Sequence, residues 1–357
     1  MKEKGNKGKK VALALSGGVD SAVSAAILKE QGYDVTCVYM VCWEEESLGC
    51  ASDKNRVDAA KVAGHLNLPI LVWDFTKEYK EKVIDYFYTE YEAGRTPNPD
   101  VMCNKEIKFG IFFDKAINDL KVDFVATGHY ARISKDKGLS EYKLLCGKDP
   151  LKDQSYFLYL LTSDILSKTL FPIGDYTKVQ VRKLAKKLDL PVWSKPDSQG
   201  ICFVGKVDIK EFLNERIKSK KGKVLDVDGN VIGEHTGSWF YTPGQRRGFN
   251  IFGFKKETPS PLYVISKDVN KNTITVGSRD KAFCTEFKVK ILTNPIQKKE
   301  GLKVRIRHLG EFYPIKSIEG QGDILTITLN KKAFGIASGQ SAVFYCKDEV
   351  LGGGVIL

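Results

Sequence analysis

The stretch VALALSGGVDS, residues 11–21, decides the fold of this chain. Its first five residues are apolar, as in a strand that is buried on both faces of a parallel sheet. Two glycines follow, and Ser21–Gln31 then shows the pattern of a helix that ends at Gly32. The N–H groups of such a loop, together with the positive end of the helix dipole, form a binding site for phosphate. The stretch therefore predicts an α/β domain with an anion site at its first loop.

Strands and helices keep alternating through the first half of the chain. Beyond Val11–Leu15 and the first helix, the predicted elements are the strands Val35–Met40, Ile70–Val72 and Phe124–Ala126 and the helical segments Arg56–Leu66, Tyr79–Tyr91 and Lys178–Leu188. This order is typical of βαβ units, in which ligands bind at the carboxyl ends of parallel strands. We expect the loops after Leu15, Met40 and Ala126 to meet at one edge of the sheet.

The rhythm changes from about Gly222 to short strands separated by turns. Lys303–Arg307 and Asp323–Leu329 alternate polar and apolar residues, which indicates half-buried strands. After about Lys281 this pattern fits a small barrel or a sandwich. The predicted domains are an α/β domain over 1–207, a central β-rich domain over 208–280 and a C-terminal β-barrel over 281–357.

The composition is that of a globular chain, and its excess of basic residues favours a polyanionic partner. Of 357 residues, 56 are Lys or Arg and 44 are Asp or Glu, and 42% are hydrophobic, which excludes a disordered or collagen-like protein. Basic side chains gain affinity for phosphates through counterion release, although a lysine-rich proteome would give the same excess. No apolar run approaches the roughly 20 residues that span a bilayer, and the start does not read as a signal peptide. We expect a cytoplasmic enzyme.

The loop Ser16–Ser21 is neither a Walker A motif nor a GxGxxG motif. It resembles the pyrophosphatase-type P-loop, or PP-loop, of enzymes that use ATP to adenylate a carbonyl oxygen and release pyrophosphate. Asp20 is then the oxygen ligand expected to reach Mg²⁺, a hard cation. If the two glycines are considered without the rest of the loop, the alternative is a structural strand–helix turn that binds no ligand.

Two further loops each deliver a cysteine. In TPNPDVMCN, residues 96–104, two prolines stiffen the chain before Cys103. Cys103 is predicted to lie at the start of a helix, Asn104–Phe113. The helix dipole at that position favours a thiolate. Asp100 is a candidate general acid or base beside it, and a buried structural cysteine is the alternative. Asp197–Phe203 presents Cys202 in a similar way, but spacing alone does not pair the two thiols.

The remaining cysteines suggest no further site. Eight cysteines without a CxxC pair are too sparse for a disulfide scaffold, and they signal neither a zinc ribbon nor an iron–sulfur site. Cys42 and Cys50 flank a short loop, for which a redox or metal role is not the favoured interpretation.

Taken together, the motifs resemble the tRNA-specific 2-thiouridylases, which convert the wobble uridine of certain tRNAs to 2-thiouridine. The matching segments, in the family's order, are SGGVDS (16–21), TPNPDVMCNKEIKF (96–109), TGHYAR (127–132), KDQSYFL (152–158), FPIG (171–174), DSQGICF (197–203), YTPGQRRG (241–248) and SGQSAVFY (338–345). The resemblance implies an α/β PP-loop domain of the adenine nucleotide alpha hydrolase type, with a Rossmann-like parallel sheet, then a small β-rich domain and a tRNA-contacting β-barrel.

The resemblance also implies residue roles at the matching positions. ATP, with Mg²⁺, is expected on Ala14, Leu15, Ser16, Gly17, Gly18, Val19, Asp20, Ser21, Met40 and Gly128. Cys202 would carry sulfur as a persulfide, Cys103 would attack it to leave a Cys103–Cys202 disulfide, and Asp100 would be the acid or base. Expected contacts to tRNA are Asn98, Pro99 and Asp100 at the flipped base, with His129, Lys152, Asp153, Gln154, Arg307, His308 and Gln340 elsewhere. For His129 a structural role beside the nucleotide is the alternative.

Expected partners are glutamate, glutamine and lysine tRNAs and a persulfide carrier protein or cysteine desulfurase, with no membrane. Three other functions compete with this one. Another ATP pyrophosphatase that forms a C–N bond would use ATP without tRNA. A sulfurtransferase with an iron–sulfur cluster is disfavoured because CxxC is absent, and a non-catalytic RNA-binding module would bind tRNA with steep salt dependence and release no AMP.

Overall fold

The chain divides into two units in a computed structural model that describes residues 6–43, 51–135, 141–197, 209–252, 261–294, 296 and 299–357. The first unit contains Met1–Ile84, Pro99–Lys206 and Asp348–Val350, and the second contains Asp85–Asn98, Val207–Lys347 and Leu351–Leu357. Within the described ranges, no helix combines the length and the apolar character that crossing a membrane requires.

A five-stranded parallel sheet lies at the centre of the first unit. Its strands are β1 (Lys10–Ala14), β2 (Asp34–Val41), β3 (Ile70–Asp74), β4 (Phe124–Ala126) and β7 (Thr169–Leu170), in the order β3-β2-β1-β4-β7. The helices are α1 (Val19–Glu30), α2 (Ala51–His65), α3 (Thr76–Tyr79), α5 (Pro99–Met102), α6 (Phe112–Asp119), α7 (Ser163–Ser167) and α8 (Lys178–Lys187). An antiparallel hairpin of β5 (Ala131–Lys135) and β6 (Tyr142–Cys146) completes the unit.

The predicted sheet edge is confirmed. β1 pairs with β2 on one side and with β4 on the other, so the loops that follow these three strands lie side by side. Val11 and Leu13, on one face of β1, and Ala12, on the other, have no exposed surface, so the strand is covered on both faces. The continuous apolar run of β1 is thus explained by its central position.

Two helices begin five residues earlier than predicted. α2 starts at Ala51 rather than Arg56, and the helix predicted from Asn104 starts at Pro99. Proline suits the first helical position because its missing N–H would have no partner there and its φ is already helical. From Pro99 the chain continues through a π-helical stretch, Cys103–Ile111, into α6. Cys103 therefore lies in the second turn, where the field of the dipole is weaker than at the first.

The second unit is mostly β-structure, as predicted. Its helices are α4 (Asp85–Glu92) and α9 (Ile209–Asn214), and its central sheet has the strands β8 (Gly222–Leu225), β9 (Val231–His235), β10 (Asn250–Ile251), β11 (Tyr263–Asp268) and β12 (Thr273–Gly277). The C-terminal strands are β13 (Phe283–Ile291), β14 (Leu302–Arg305), β15 (Tyr313–Gln321), β16 (Ile324–Phe334), β17 (Ser341–Cys346) and β18 (Glu349–Ile356).

The six C-terminal strands form a closed barrel. They follow the order β13-β16-β15-β14-β17-β18, and β13 pairs with β18 to close it, with Val289 opposite Ile356. Val289, Val304 and Phe344 are fully buried inside. Closure settles the choice that the sequence left open between a barrel and a sandwich, since a sandwich would leave β13 and β18 as edges.

Candidate functional site

The loop Ser16–Ser21 forms a cradle at the carboxyl end of β1. Gly18 is the N-cap of the 12-residue helix α1, and no side chain caps the first turn. The hydroxyl of Ser21 is folded back into the loop, where it accepts from the N–H of Ser16 at 3.2 Å and donates to the carbonyl of Gly18 at 3.1 Å. The first N–H groups of α1 are therefore available to an anion.

Glycine is required at two positions around this cradle. Gly17 has φ of +74°, and a Cβ there would lie 2.2 Å from the carbonyl oxygen of Asn55. At Gly128, in the loop after β4, a Cβ would lie 2.9 Å from the backbone nitrogen of Ser21. The first loop thus lies against α2, and the loop after β4 lies against the start of α1, each more closely than any side chain allows. This close backbone packing fits a site that holds phosphate with main-chain groups.

The other predicted nucleotide residues lie around the same sheet edge. Ala14 ends β1, and the N–H of Leu15 donates to the carbonyl of Val38 in β2 at 2.9 Å. Met40 lies near the carboxyl end of β2 and is buried. The structure therefore brings together the first loop, the end of β2 and the loop that contains Gly128.

One lysine joins two carboxylates beside the cradle. The Nζ of Lys178 lies 2.8 Å from each carboxylate oxygen of Asp20 and 2.8 Å from Oδ1 of Asp197. Only 12% of the Lys178 side chain is exposed. The phenol of Tyr130 also donates to Asp20, at 2.7 Å. Asp20, the predicted Mg²⁺ ligand, is thus held by an ammonium and a hydroxyl group.

Asp197 gathers two more cations. Lys152 approaches it at 2.7 Å and Arg182 at 2.5 Å. Burial raises the pKa of Asp197, but hydrogen bonds from Lys152 and Lys178 and the charge of Lys178 outweigh it, so the pKa lies well below its ordinary value. The carboxylate is ionised at neutral pH. The ammonium and guanidinium groups of these three cations are donors of the kind that bind a phosphate.

Tyr130 is a permanent donor in this cluster. Burial, followed by the negative charge of Asp20 and the hydrogen bond to it, raises the pKa of Tyr130 far above its ordinary value. The phenol therefore stays protonated at neutral pH, and it keeps its proton directed at Asp20.

Helix capping explains why Lys178 is held at this place. Thr177 and Gln180 form a capping box, in which Thr177 Oγ1 accepts from the N–H of Gln180 and Gln180 Oε1 accepts from the N–H of Thr177. Asp149 accepts from the N–H of Lys178 itself at 2.8 Å. A cation in the first turn opposes the helix dipole. That unfavourable placement is the sequence signal for an anionic neighbour, and helical periodicity alone missed it.

Lys195 is a second residue that the sequence did not reveal. Its Nζ donates to the carbonyl of Gly17 at 3.0 Å, to Asn55 at 2.8 Å and to Asp58 at 2.6 Å. It thereby ties the cradle to α2. Lys195 precedes a proline in an irregular segment, where no periodicity points to a role.

The predicted Cys103 and Asp100 lie on one face of the same helix, because they are three residues apart. Cys103 is fully buried, and Asp100 is half-buried. The next residue, Asn104, donates to the carbonyl of Asp100 at 2.9 Å, while its own buried Oδ1 has no hydrogen-bond donor among the described residues. π-Helical turns often mark functional sites. Cys202, the second predicted thiol, lies outside the described residues.

Burial predicts slow chemical labelling of Cys103. In the protein without ligands, we expect iodoacetamide to modify exposed Cys284 and to react with Cys103 about a hundredfold more slowly, because Cys103 needs local opening of the structure. Peptide mass spectrometry after timed labelling measures both rates. Equal rates at the two thiols would show that the helix around Cys103 is open in solution.

His129 is buried, with 6% of its surface exposed. Its Nδ1 lies 2.8 Å from Oγ1 of Thr127, and the rings of Phe109 and Phe171 pack at 6.1 and 6.0 Å between centroids. Burial, and secondarily the charge of Lys108, hold the pKa of His129 well below 6.5. This environment agrees with the structural alternative, and contact with tRNA stays a prediction.

The low pKa of His129 predicts a loss of stability in mild acid. The unfolded chain takes up a proton at this side chain below about pH 6.5, whereas the folded protein does not. The free energy of unfolding should therefore fall as the pH drops below that value, by at most about 1.4 kcal/mol per pH unit from this group. NMR of the His129 ring should show no titration from pH 7.5 to its unfolding limit. A titration midpoint near 6.5 would contradict the burial.

Four of the remaining predicted tRNA contacts make hydrogen bonds within the protein. The carboxylate of Asp153 accepts from the N–H of Gly147 and Ser155, and Gln154 accepts from the N–H of Tyr130. In the second unit, Arg307 donates to the carbonyls of Pro243 and Gly335, and Gln340 donates to those of Thr96 and Pro97. His308 is half-buried and Asn98 is buried. Pro99 begins α5 in the first unit. Their contacts with tRNA stay predictions.

Comparison with known proteins places the whole chain in one family. Family models match residues 9–206 as "tRNA methyl transferase HUP domain", 210–278 as "tRNA methyl transferase PRC-barrel domain" and 281–356 as "Aminomethyltransferase beta-barrel domain". The "tRNA-specific 2-thiouridylase MnmA" of Buchnera aphidicola subsp. Acyrthosiphon pisum is 43% identical over 98% of this chain and 97% of its own length. Its namesake in Nitrosomonas europaea is 42% identical over 98% of both chains, and that in Enterococcus faecalis is 41% identical over 97% of this chain and 95% of its own.

Proposed function

The chain belongs to the tRNA-specific 2-thiouridylase family, and from that premise we propose that it is an ATP-dependent tRNA sulfurtransferase that makes 2-thiouridine at the wobble position of glutamate, glutamine and lysine tRNAs. The observation that carries the use of ATP is the glycine cradle at the start of α1 with Lys178 beside it. Backbone N–H groups, a helix N-terminus and a neighbouring ammonium are the groups that bind the phosphates of a nucleotide.

Lys178 is the cation that meets the phosphates of ATP in this proposal. It already contacts Asp20, the second residue of α1, so a phosphate on the first turn of that helix lies within its reach. Bound phosphate would draw the ammonium away from Asp20 and leave that carboxylate to hold Mg²⁺. Within the described parts of the chain, no cluster of three or more His, Cys, Asp or Glu side chains could hold a metal ion. This fits an ion carried mainly by phosphate oxygens and one carboxylate, as Mg²⁺ commonly is.

The sulfur chemistry is proposed for Cys103 and Cys202. Adenylation of the uridine 2-oxygen turns a poor leaving group into AMP. The terminal sulfur of a persulfide on Cys202 would bond to the activated carbon as AMP leaves, and the thiolate of Cys103 would attack the Cys202 sulfur to release the thiolated base. The products are 2-thiouridine and a Cys103–Cys202 disulfide, which a thiol reductant must reopen. Support comes from Asp100, which lies on the same helix face as Cys103 and can exchange the proton.

Substrate placement is proposed for the Asn98–Asp100 segment. The reacting carbonyl lies on the edge of the base, so the uridine must leave its stack to reach both ATP and a thiol. The proposed division of labour is catalysis in 1–207, a connecting domain over 208–280 and contact with tRNA by the barrel over 281–357. A persulfide carrier protein or a cysteine desulfurase would supply the sulfur, and the reaction would take place in the cytoplasm.

The proposal is tested by incubating the purified protein with unmodified glutamate tRNA, Mg-ATP and a persulfide donor, namely a cysteine desulfurase supplied with cysteine, followed by nucleoside mass analysis. We expect 2-thiouridine only when ATP is present, together with AMP and pyrophosphate. A methylated nucleoside, which differs in mass, would favour the reaction that two of the family-model descriptions name. AMP without any need for tRNA would favour another ATP pyrophosphatase. Salt-sensitive tRNA binding without AMP would leave an RNA-binding module.

A further inference from the structure

The first loop contains one peptide group that two glycines leave free to rotate. Gly17 and Gly18 have no Cβ, so the peptide plane between them can turn over with little steric cost. Gly17 has φ of +74°, in the left-handed region. In one orientation this peptide presents its N–H to an anion at the start of α1. In the other it presents its carbonyl oxygen, which repels a phosphate, so anion binding depends on what fixes this peptide.

Lys195 fixes the peptide through its carbonyl oxygen. The Nζ of Lys195 donates to the carbonyl of Gly17 at 3.0 Å. Because a peptide group is planar and trans, the N–H of Gly18 points in the opposite direction from that carbonyl. This N–H has no hydrogen-bond acceptor within the described part of the chain, and Gly18 is partly exposed. The contact with Lys195 therefore leaves a free donor of the loop beside the first turn of α1.

The ammonium group of Lys195 is itself held by two side chains of α2, within the first unit. It donates to Oδ1 of Asn55 at 2.8 Å and to Oδ2 of Asp58 at 2.6 Å. An ammonium group carries three hydrogens, and these two acceptors and Gly17 use all of them. Only 20% of the Lys195 side chain and 16% of the Asp58 side chain are exposed, so water competes little for these bonds.

The backbone of Lys195 is fixed as well. Its N–H donates to the carbonyl of Val192 at 3.0 Å, and its carbonyl accepts from the guanidinium of Arg182 in α8 at 2.6 Å. The proline at position 196 restricts Lys195 to extended conformations. The side chain therefore extends to Gly17 from an anchored position.

We infer that Lys195 is a positioning residue for the nucleotide site, which holds the Gly17–Gly18 peptide so that the N–H of Gly18 donates to a phosphate of ATP. The inference rests on the proposed function, because ATP is there the ligand of this loop. Lys195 acts through the backbone and does not touch the nucleotide. Asp58 contributes because its charge keeps the ammonium group in place.

The test compares Lys195→Met with a matched control, Lys61→Met, which removes an exposed lysine from α2. Glycine labelled with ¹³C at the carbonyl and with ¹⁵N confines carbonyl-correlated amide NMR signals to peptides that join two glycines. The sequence contains three of these, namely Gly17–Gly18, Gly352–Gly353 and Gly353–Gly354, so the two C-terminal peptides are internal references. The ligands are inorganic pyrophosphate and ATP, and calorimetry measures the Kd of each.

In the wild type, the amide proton of Gly18 should move downfield when pyrophosphate is added, because it gains a charged acceptor. In Lys195→Met we expect little movement at saturation and a Kd for ATP that is about tenfold to a hundredfold higher, the loss typical of one hydrogen bond to a charged group. Lys61→Met should match the wild type. A higher Kd with the full Gly18 shift at saturation would overturn the inference and assign Lys195 to direct contact with phosphate.

A second variant addresses the carboxylate that Lys195→Met leaves without its cation. Lys195→Met combined with Asp58→Asn removes both charges, and it should show the same small Gly18 shift and a similarly raised Kd. A wild-type shift and Kd in this double variant would show that Lys195 only neutralises Asp58, and the inference would fall.

The ligand-free protein offers a measurement that needs no ATP. Loss of the Lys195 donor should move the carbonyl ¹³C signal of Gly17 upfield in both Lys195 variants and leave it in place in Lys61→Met. An unmoved signal would also overturn the inference. If the wild-type protein bound neither ATP nor pyrophosphate, the proposed use of ATP would fail, while this signal would still show whether Lys195 holds the peptide. The two failures are therefore distinguishable.

Discussion

Cys103→Ser is expected to reduce 2-thiouridine formation by about 10⁴-fold or more, because removing an essential nucleophile typically has an effect of this order. Serine is close to cysteine in size, so the helix from Pro99 through α6 should keep its packing. A serine hydroxyl is not ionised at neutral pH and cannot attack the sulfur of a persulfide. Nucleoside mass analysis of the tRNA after single-turnover reaction measures the loss.

The control for this variant is Cys284→Ser, which changes an exposed thiol at the start of the barrel and should leave the rate unchanged. Binding of tRNA by Cys103→Ser should equal that of the wild type, since affinity comes mainly from phosphate contacts. The same result is expected of Cys202→Ser, at the position outside the described residues. Appreciable thiolation by either cysteine variant would refute a mechanism that needs two thiols.

Lys178→Met is expected to slow the release of AMP and pyrophosphate by about a hundredfold to a thousandfold, which is the usual effect of removing one preorganised charge from a transition state. Methionine retains much of the apolar stem of lysine, but it brings no charge to the phosphates. It also leaves Asp20 and Asp197 without the ammonium that both now contact. The measurement is pyrophosphate release at saturating tRNA over a series of ATP concentrations.

A matched control for Lys178→Met is Lys183→Met, which removes an exposed lysine from the same helix. It should leave ATP turnover at the wild-type level. Lys178→Arg keeps the charge in a different shape and should recover part of the rate. Thermal unfolding distinguishes a folded but inactive Lys178→Met from one that has lost its structure. Normal pyrophosphate release by a folded Lys178→Met would remove Lys178 from the nucleotide site.

Local patterns were sufficient for the framework of the first unit. The apolar run of β1, the glycines after it and the helix that follows occupy about 20 consecutive residues, and short-range sterics and burial act within such a length. The order of strands and helices then required a parallel sheet with its loops on one edge. The period of two after Lys281 likewise indicated the strands of the barrel, although closure depended on the pairing of β13 with β18.

Local signals were less reliable at the start of the cysteine-bearing helix. The prolines of TPNPD were correctly interpreted as stiffening the chain, but Pro99 also begins the helix, which moved Cys103 from its start into its second turn. A proline is compatible with both a loop and a first helical turn, so the sequence alone does not choose between them.

By itself, the sequence determined the parallel sheet, the glycine cradle of Ser16–Ser21, the membership of the family and the β-rich second half. Only the tertiary structure decided which charges and which backbone groups meet. Lys178 contacts Asp20 from 158 positions away, and Gln340 holds Thr96 from 244 positions away. The physical reason is that propensity and periodicity act over a few turns or strands, whereas partners at such separations are chosen by how whole elements pack against each other.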